Sequence, residues 1–206
     1  MPRRSDLDSR QRLFHAAAAE FAARGFEAAG VDRIAAKARI NKAMLYYHFG
    51  SKLELYVDVL RDMFRAVGGR ARALADGPGA AVEKMDAWIV AFVEEASSRP
   101  WFPPIMLREL ASGIPHFDDE TLKLMGGVYG AVRDIIAQGR REGAFRDADP
   151  LLTHLTIMPA VLAYFVRETA IAARPTAALP LAESRSRDEF IRHMQQTVRG
   201  MLRREE

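Results

Sequence analysis

Apolar residues recur three and four positions apart along almost every stretch of this chain longer than ten residues. That spacing places them on one face of an α-helix, whereas a half-buried strand needs sustained alternation of apolar and polar residues, which no stretch shows. Glycine and proline divide the pattern into nine predicted helices, and a loop between Pro175 and Pro180 precedes the last of them. We therefore expect an all-α fold of about nine helices without a β-sheet.

The composition fits a folded chain and excludes several functional classes. Of the 206 residues, 49% are hydrophobic, which is enough to bury a core without a disulfide or a structural metal. The absence of cysteine excludes thiol catalysis and cysteine zinc sites. The N-terminus predicts no signal peptide, and no run approaches the ~18 consecutive apolar residues of a membrane span. We expect a cytoplasmic protein with no membrane partner.

The positive charge is concentrated near the N-terminus. Residues 1–55 contain ten Lys or Arg and six Asp or Glu, a balance of +4, whereas the other 151 residues contain twenty and twenty-one, a balance of −1. This asymmetry favours a polyanionic partner for the first quarter of the chain. Ordinary variation of surface charge is the alternative.

Two short predicted helices, at about 32–38 and 42–48, are joined by a tight turn that begins at Arg39. Helices of this length are not stable alone, so they must pack on the Phe14 and Phe21 face of the first helix. Asn41 is a good N-cap for the second helix. A helix, a tight turn and a helix in a basic setting is the arrangement that places the second helix in the major groove of DNA.

The same segment resembles the N-terminal domain of TetR-family transcriptional regulators over about residues 7–67. The resemblance is carried by Leu13-Phe14, Ala16-Ala17, Phe21, Gly25-Phe26, Val31, Ile34-Ala35, Ala38 and Ile40-Asn41-Lys42-Ala43-Met44-Leu45-Tyr46-Tyr47-His48-Phe49-Gly50-Ser51-Lys52. It implies a three-helix DNA-binding domain at 7–67, with its helix-turn-helix motif at about 30–49. Residues 68–206 would then form a larger helical domain for ligand binding and dimerisation.

The resemblance also implies roles for individual residues. Lys donates to guanine, Met and Ala touch a thymine methyl, and Tyr, His and Lys donate to phosphate. The residues expected at base edges or the adjacent backbone are Lys42, Ala43, Met44 and Tyr46; those expected at phosphates are Tyr47, His48 and Lys52; Arg33, Arg39 and Asn41 complete the predicted DNA-binding set.

Two positions depart from the pattern of the family. Gly30 stands where a capping Thr or Ser is common, so Asp32 is the expected substitute cap of that helix. Arg39 stands where the turn usually has Gly, so it must either adopt a positive φ or change the turn, and it gains a chance to contact phosphate.

The larger domain offers candidate sites that are also what an apolar core needs. Glu109 and His154 interrupt apolar faces and are the candidate polar anchors of a pocket. The predicted pocket consists of Phe64, Trp88, Phe92, Phe102, Met106, Glu109, Met125, Tyr129 and His154. The predicted dimer interface consists of Leu162, Phe165, Ile191, Met194, Val198 and Met201.

These observations predict a homodimeric, ligand-responsive regulator that binds double-stranded DNA, with an unidentified small-molecule effector for which a hydrophobic molecule is one candidate. We expect no enzyme, no cofactor and no metal, because the five histidines lack metal-ligand spacing and no nucleophile motif is present. Two alternatives stay open: a helical small-molecule-binding or enzymatic protein that its basic N-terminus merely keeps in solution, and a structural dimerisation module. For Tyr46, Tyr47 and His48, packing in a core is the alternative to DNA contact, and for Phe49 we expect core packing.

Overall fold

The computed structural model describes residues 4–173 and 184–204, and over those ranges it confirms the predicted all-α architecture. The helices are α1 (Arg4–Ala28), α2 (Val31–Ala38), α3 (Lys42–Phe49), α4 (Lys52–Asp76), α5 (Ala81–Ser98), α6 (Phe102–Ala111), α7 (Asp119–Arg141), α8 (Pro150–Ala173) and α9 (Arg187–Leu202). The described residues contain one isolated β-bridge, between Phe145 and Arg203, and no sheet. The loop predicted between Pro175 and Pro180 lies outside the described residues.

Two predicted helix boundaries differ from the structure for identifiable reasons. The sequence predicts that the first helix stops at Gly25, and Gly25 does leave the helical conformation with a φ of 76°, but residues 26–28 add a further helical turn. The sequence also predicts that the sixth helix starts near residue 104, whereas α6 starts at Phe102. Pro103 and Pro104 lie in its first turn, where backbone N–H groups have no acceptor inside the helix, so the N–H that proline lacks is not missed there.

The first three helices form a small head that packs on the start of α4. The eight-residue helices α2 and α3 each bury one face and expose the other, and they contact α1 through its buried Leu13 and Phe21. Their buried side chains are Ile34, Ala35 and Ala38 in α2, and Leu45 and Phe49 in α3. The core of α1 therefore holds both short helices in place, as the sequence predicts.

Helix α4 runs without interruption from the head into the body, which is the larger unit formed by the rest of α4 and by α5 to α9. It buries Tyr56 beside the head and Phe64 and Val67 within the body. The predicted domain boundary between residues 67 and 68 therefore falls inside a continuous helix.

Helix α8 is long and apolar enough, by length and composition, to cross a membrane, although only 17% of its most apolar window is buried in the single chain. Its first turns expose Leu151, Leu152 and Leu155. An exposed apolar face of this length on a folded helix is typical of a surface that another element covers. Leu151, Leu152 and Leu155 thus form an exposed apolar surface at the start of α8.

Candidate nucleic-acid interface

The turn between α2 and α3 has the left-handed conformation that the sequence raised as one option. Arg39 has φ 55° and ψ 45°, and the N–H groups of Arg39 and Ile40 donate to the carbonyl oxygens of Ala36 and Ala35, both at 3.0 Å. These are the two hydrogen bonds of a Schellman helix end, which glycine normally completes. A non-glycine residue here costs about 1 kcal/mol. The backbone of the turn is therefore strained at Arg39, whose side chain is exposed.

Side chains from both sides fix this turn. The guanidinium of Arg12, on α1, donates to the carbonyl oxygens of Ala38 and Arg39. On the other side, the Oδ1 of Asn41 accepts a hydrogen bond of 2.9 Å from the N–H of Ala43, which confirms Asn41 as the N-cap of α3. Sequence reasoning missed the role of Arg12, because a lone arginine on an amphipathic helix reads as solvated surface.

Helix α3 presents an exposed face of mixed chemistry. Leu45 and Phe49, four residues apart, are its buried side, whereas Lys42, Ala43, Tyr46 and Tyr47 are exposed; 74% of Tyr47 is accessible. A tyrosine that only packs in a core is rarely this exposed. The exposed side offers one ammonium, one methyl and two phenolic hydroxyls, which are donors and an apolar contact suited to the edge of DNA.

The lysines and arginines around the motif differ in whether their charged groups have partners in the protein. The Lys42 ammonium lies 2.9 Å from a carboxylate oxygen of Asp32, which raises the pKa of Lys42 through that hydrogen bond and its charge. Asp32 therefore pairs with α3, and the expected capping of α2 by Asp32 is wrong, since no side chain caps that helix. Within the described ranges the side chains of Lys37 and Arg39 make no hydrogen bond; Arg39 offers its positive charge directly before α3, whereas the charge of Lys37 also helps to lower the pKa of Glu20.

Arg33, by contrast, joins α2 to α1. Its Nε donates to a carboxylate oxygen of Glu20 at 2.6 Å, and its guanidinium also donates to the carbonyl oxygen of Ala28. The hydrogen bond from Arg33 lowers the pKa of Glu20, which is only 7% exposed. Arg33 stands in the predicted DNA-binding set, but in this conformation its guanidinium stabilises the head.

Lys52 has a similar structural role, which changes the reading of its charge. Its ammonium donates to the carbonyl oxygens of Phe26 at 2.8 Å, Glu27 at 3.3 Å and Ala29 at 3.2 Å, and it lies 4.3 Å from the centre of the Phe26 ring. A lysine has three N–H donors, and three carbonyl groups now accept them. Lys52 thus caps the C-terminal end of α1 instead of pointing a free ammonium at phosphate.

Two further predicted DNA contacts are turned towards the protein. Met44 is half-buried against the core. His48 lines a groove of about 700 Å³ together with Glu54 and Asp58, and its Nε2 is buried without a hydrogen-bond partner. Two carboxylates that line the same groove disfavour a phosphate there. The predicted DNA-binding residues on the exposed surface are therefore Arg33, Arg39, Asn41, Lys42, Ala43, Tyr46 and Tyr47, and among them the Arg33 guanidinium is held by Glu20 and the carbonyl oxygen of Ala28.

The body contains a small cavity where the sequence predicts a pocket. It measures about 40 Å³, and six of the nine predicted residues line it: Phe64, Phe92, Phe102, Met106, Met125 and His154. Trp88 and Tyr129 lie just outside, with ring centres 6.2 Å and 6.0 Å from that of His154. The spacing of apolar residues thus located the cavity, because residues on the inner faces of packed helices meet.

Glu109 is the exception, since it is not among the residues that line the cavity. Its buried carboxylate accepts hydrogen bonds from the hydroxyl of Tyr56 at 2.7 Å and pairs with Nδ1 of His116 at 2.8 Å. Burial and the bond to Glu109 raise the pKa of Tyr56 far above its ordinary value. The pocket role predicted for Glu109 is replaced by a structural one, which links α4, α6 and the loop before α7.

Arg108, next to Glu109 on α6, makes a contact that sequence reasoning missed. Its guanidinium donates to the carbonyl oxygens of Phe21 and Ala22, near the C-terminal end of α1. The side chain also passes beside Gly25, where an added Cβ would lie 3.6 Å from its Cδ. Nothing in the local sequence marks this arginine, because its partners lie more than eighty residues earlier. Helix α6 therefore contacts both the cavity and the head.

Half of the predicted dimer interface lies inside the single chain. Leu162, Met194 and Val198 are 0%, 5% and 0% exposed, so they pack the core of their own body and cannot reach a partner. Phe165, Ile191 and Met201 are partly buried against the same core. The seam seen in the sequence of α9 is real, but it packs against this chain.

The described residues hold no cluster of His, Asp or Glu suited to a metal ion.

Comparisons with known proteins agree with the geometry. A family model described as bacterial regulatory proteins, tetR family, matches residues 13–59. The transcriptional repressor NicS of Pseudomonas putida is 29% identical over 199 residues, which cover 95% of this chain and 93% of NicS. The transcriptional repressor SCO4008 of Streptomyces coelicolor is 30% identical over 73% of this chain and 74% of its own length. The solved structure of the ketosteroid transcriptional regulator KstR2 of Mycobacterium tuberculosis superimposes with a TM-score of 0.74, at 24% identity and 95% coverage of both chains.

The contacts of Lys52 predict a change in stability. Replacement by Met keeps the aliphatic stem but removes three charge-assisted hydrogen bonds, so we expect Lys52→Met to lower the free energy of unfolding by about 1 to 2 kcal/mol. Urea denaturation followed by circular dichroism measures this loss. Lys37→Met is the matched control, since Lys37 is exposed and unpartnered, and its urea midpoint should stay at the wild-type value. Equal midpoints for Lys52→Met and wild type would remove the capping role.

Proposed function

The chain belongs to the TetR family of bacterial regulatory proteins, and from that membership we propose a ligand-responsive repressor that binds its DNA operator as a homodimer. Repression is proposed because NicS and SCO4008, each of which matches most of this chain, are both named repressors. The protein acts on double-stranded DNA in the cytoplasm. Its action needs no cofactor, metal or catalytic step.

The exposed face of α3 is the observation that carries this proposal. One face of α3 carries two tyrosines and a lysine, and the turn beside it holds Arg39 at positive φ. This face is exposed and does not pack in the core. Phosphate contacts from Arg39 and Tyr47 fix the position of the head, while Lys42 and Tyr46 read base edges in the major groove. Lys42 exchanges Asp32 for a base on binding, and this exchange is easy because both side chains are exposed.

The apolar face of α8 supports the dimer. Leu151, Leu152 and Leu155 project from the same side of α8, and a second copy related by a twofold axis covers this side on both subunits. On α9, Gly200 has open space where a side chain would be, which allows a close approach of the partner. The proposed dimer interface thus lies on the outer faces of α8 and α9 and leaves out Leu162, Met194 and Val198 of the predicted interface, which are buried.

The cavity and the head are linked by two helices, which gives the effector a route to the DNA. Phe64 of α4 and Met106 of α6 line the cavity, while Arg108 of α6 contacts the last turns of α1. An effector that enlarges the cavity displaces both helices and changes the separation of the two heads. It weakens DNA binding only by its preference for the displaced conformation, typically ~1 to 3 kcal/mol.

The different surroundings of Arg39 and Lys42 predict different effects on DNA binding. For Arg39→Ala we expect weaker binding to every sequence, and the slope of log K against log salt should fall by about 0.9 for each half-site, hence about 1.8 for a dimer. For Lys42→Ala we expect relaxed preference at one base position in each half-site. Salt titrations and binding to single-substitution operator variants measure the two quantities. An unchanged slope for Arg39→Ala, or uniform weakening alone for Lys42→Ala, would contradict these roles.

The outer face of α8 predicts the effect of charge on dimerisation. A carboxylate at the centre of an apolar interface is desolvated without a partner, so Leu152→Glu and Leu155→Glu together should yield a monomer. Sedimentation velocity measures the mass in solution. Leu110→Glu is the matched control, because Leu110 is also an exposed leucine but lies on α6, and this variant should stay dimeric. A dimeric double variant would place the interface on another surface.

A further inference from the structure

The cavity in the body is enclosed by side chains of α4, α5, α6, α7 and α8. Eight of its lining residues are apolar and one is polar: Phe64, Val67, Phe92, Phe102, Met106, Met125, Val128, Met158 and His154. A cavity of about 40 Å³ is far below the ~300 Å³ and more of ordinary ligand pockets. Met106, Met125 and Met158 are flexible enough to rearrange at low cost, so the wall of the cavity opens without a change of fold.

Two buried polar groups beside the cavity have no hydrogen-bond partner among the described residues. They are Nδ1 of His154, a side chain 8% exposed, and Nε1 of Trp88, a side chain 1% exposed. The ring centres of the two residues are 6.2 Å apart. Folded proteins satisfy the great majority of their buried polar groups, because an unsatisfied one weakens the fold. Because His154 lines the cavity and Trp88 lies just outside it, Nδ1 of His154 is the unsatisfied group that a bound ligand can reach.

The surroundings also limit the charge of that ligand. No Lys, Arg, Asp or Glu is among the residues that line the cavity, and the nearby carboxylate of Glu109 is bound to Tyr56 and His116. Burial lowers the pKa of His154, which keeps its imidazole neutral at pH 7. A neutral imidazole offers hydrogen bonds but no charge to balance an anion or a cation.

We propose that the effector is an uncharged, mainly apolar molecule with one hydroxyl or carbonyl oxygen, and that this oxygen forms a hydrogen bond with Nδ1 of His154. The aromatic and methionine side chains around the imidazole contact the apolar part. The term effector rests on the proposed function, whereas binding at the cavity does not. Binding is therefore measured separately from the response of the DNA complex.

Three small probes of similar size test the chemistry: phenol, toluene and benzoate. Each is titrated into the full-length protein at pH 7, and its affinity is obtained from the rise of the thermal unfolding midpoint with probe concentration. We expect phenol and toluene to raise the midpoint and benzoate to leave it unchanged, because no cation balances its carboxylate. A rise with benzoate equal to that with phenol would overturn the proposal.

Replacement of His154 by Leu tests the hydrogen bond directly. We expect His154→Leu to lower the ratio of phenol affinity to toluene affinity about fivefold, the effect of one neutral hydrogen bond. Without a probe, the same variant should unfold about 2 to 4 °C higher, because an unsatisfied polar group has been replaced by an apolar one. Met158→Leu changes the cavity wall without changing its polarity and should keep the wild-type ratio. An unchanged ratio in His154→Leu, or a lower unfolding midpoint, would overturn the role of His154.

Gel shifts on operator DNA separate this proposal from the proposed function. His154 is distant in sequence from α3 and makes no hydrogen bond to the head, so His154→Leu should bind DNA like the wild type in the absence of probes. We expect phenol to release DNA from the wild type at lower concentration than from His154→Leu. Equal release concentrations would overturn the role of His154 in the response. Failure of the wild type to bind DNA would contradict the proposed function and leave the measured phenol preference intact.

Discussion

The C-terminal end of α1 is the point on which the rest of the structure depends. A helix end leaves carbonyl oxygens without partners inside the helix, and here two cations from later parts of the chain satisfy them. Lys52, at the start of α4, binds the oxygens of Phe26, Glu27 and Ala29, and Arg108 of α6 binds those of Phe21 and Ala22. These contacts fix the head on α4 and α6, two of the five helices that enclose the cavity.

The sequence predicts the helices and the exposed face of α3 well, because both follow from local spacing and from capping residues such as Asn41. It does not predict which charged groups are free. The sequence predicts a phosphate contact for Lys52 and a DNA contact for Arg33, but the fold brings their side chains to carbonyl oxygens and to Glu20. It also cannot tell a core seam from an interface seam. The spacing of Met194 and Val198 predicts an apolar partner, and only the packing of α9 shows that this partner is the same chain.

A repressor needs two conformations that differ little in free energy, and the body has the features for this. The cavity is nearly closed, yet three methionines line it and one neutral histidine stays without a partner. An unsatisfied group weakens the empty form, and a ligand that satisfies it stabilises the open form. The strained backbone of Arg39 in the turn is a second feature that destabilises the fold, and it lies on the surface proposed to contact DNA. Both features lower the stability of the fold, and both lie at a site with a proposed function.

The central claim is that two copies of α3 read the two halves of one DNA site. Footprinting of the purified protein on DNA beside its own gene tests this claim most directly. The account predicts two protected half-sites related by a pseudo-twofold axis, with centres roughly 34 to 36 Å apart along the duplex, and protection that disappears as salt is raised. A single unsymmetrical protected patch, or no protection at low salt, would contradict it.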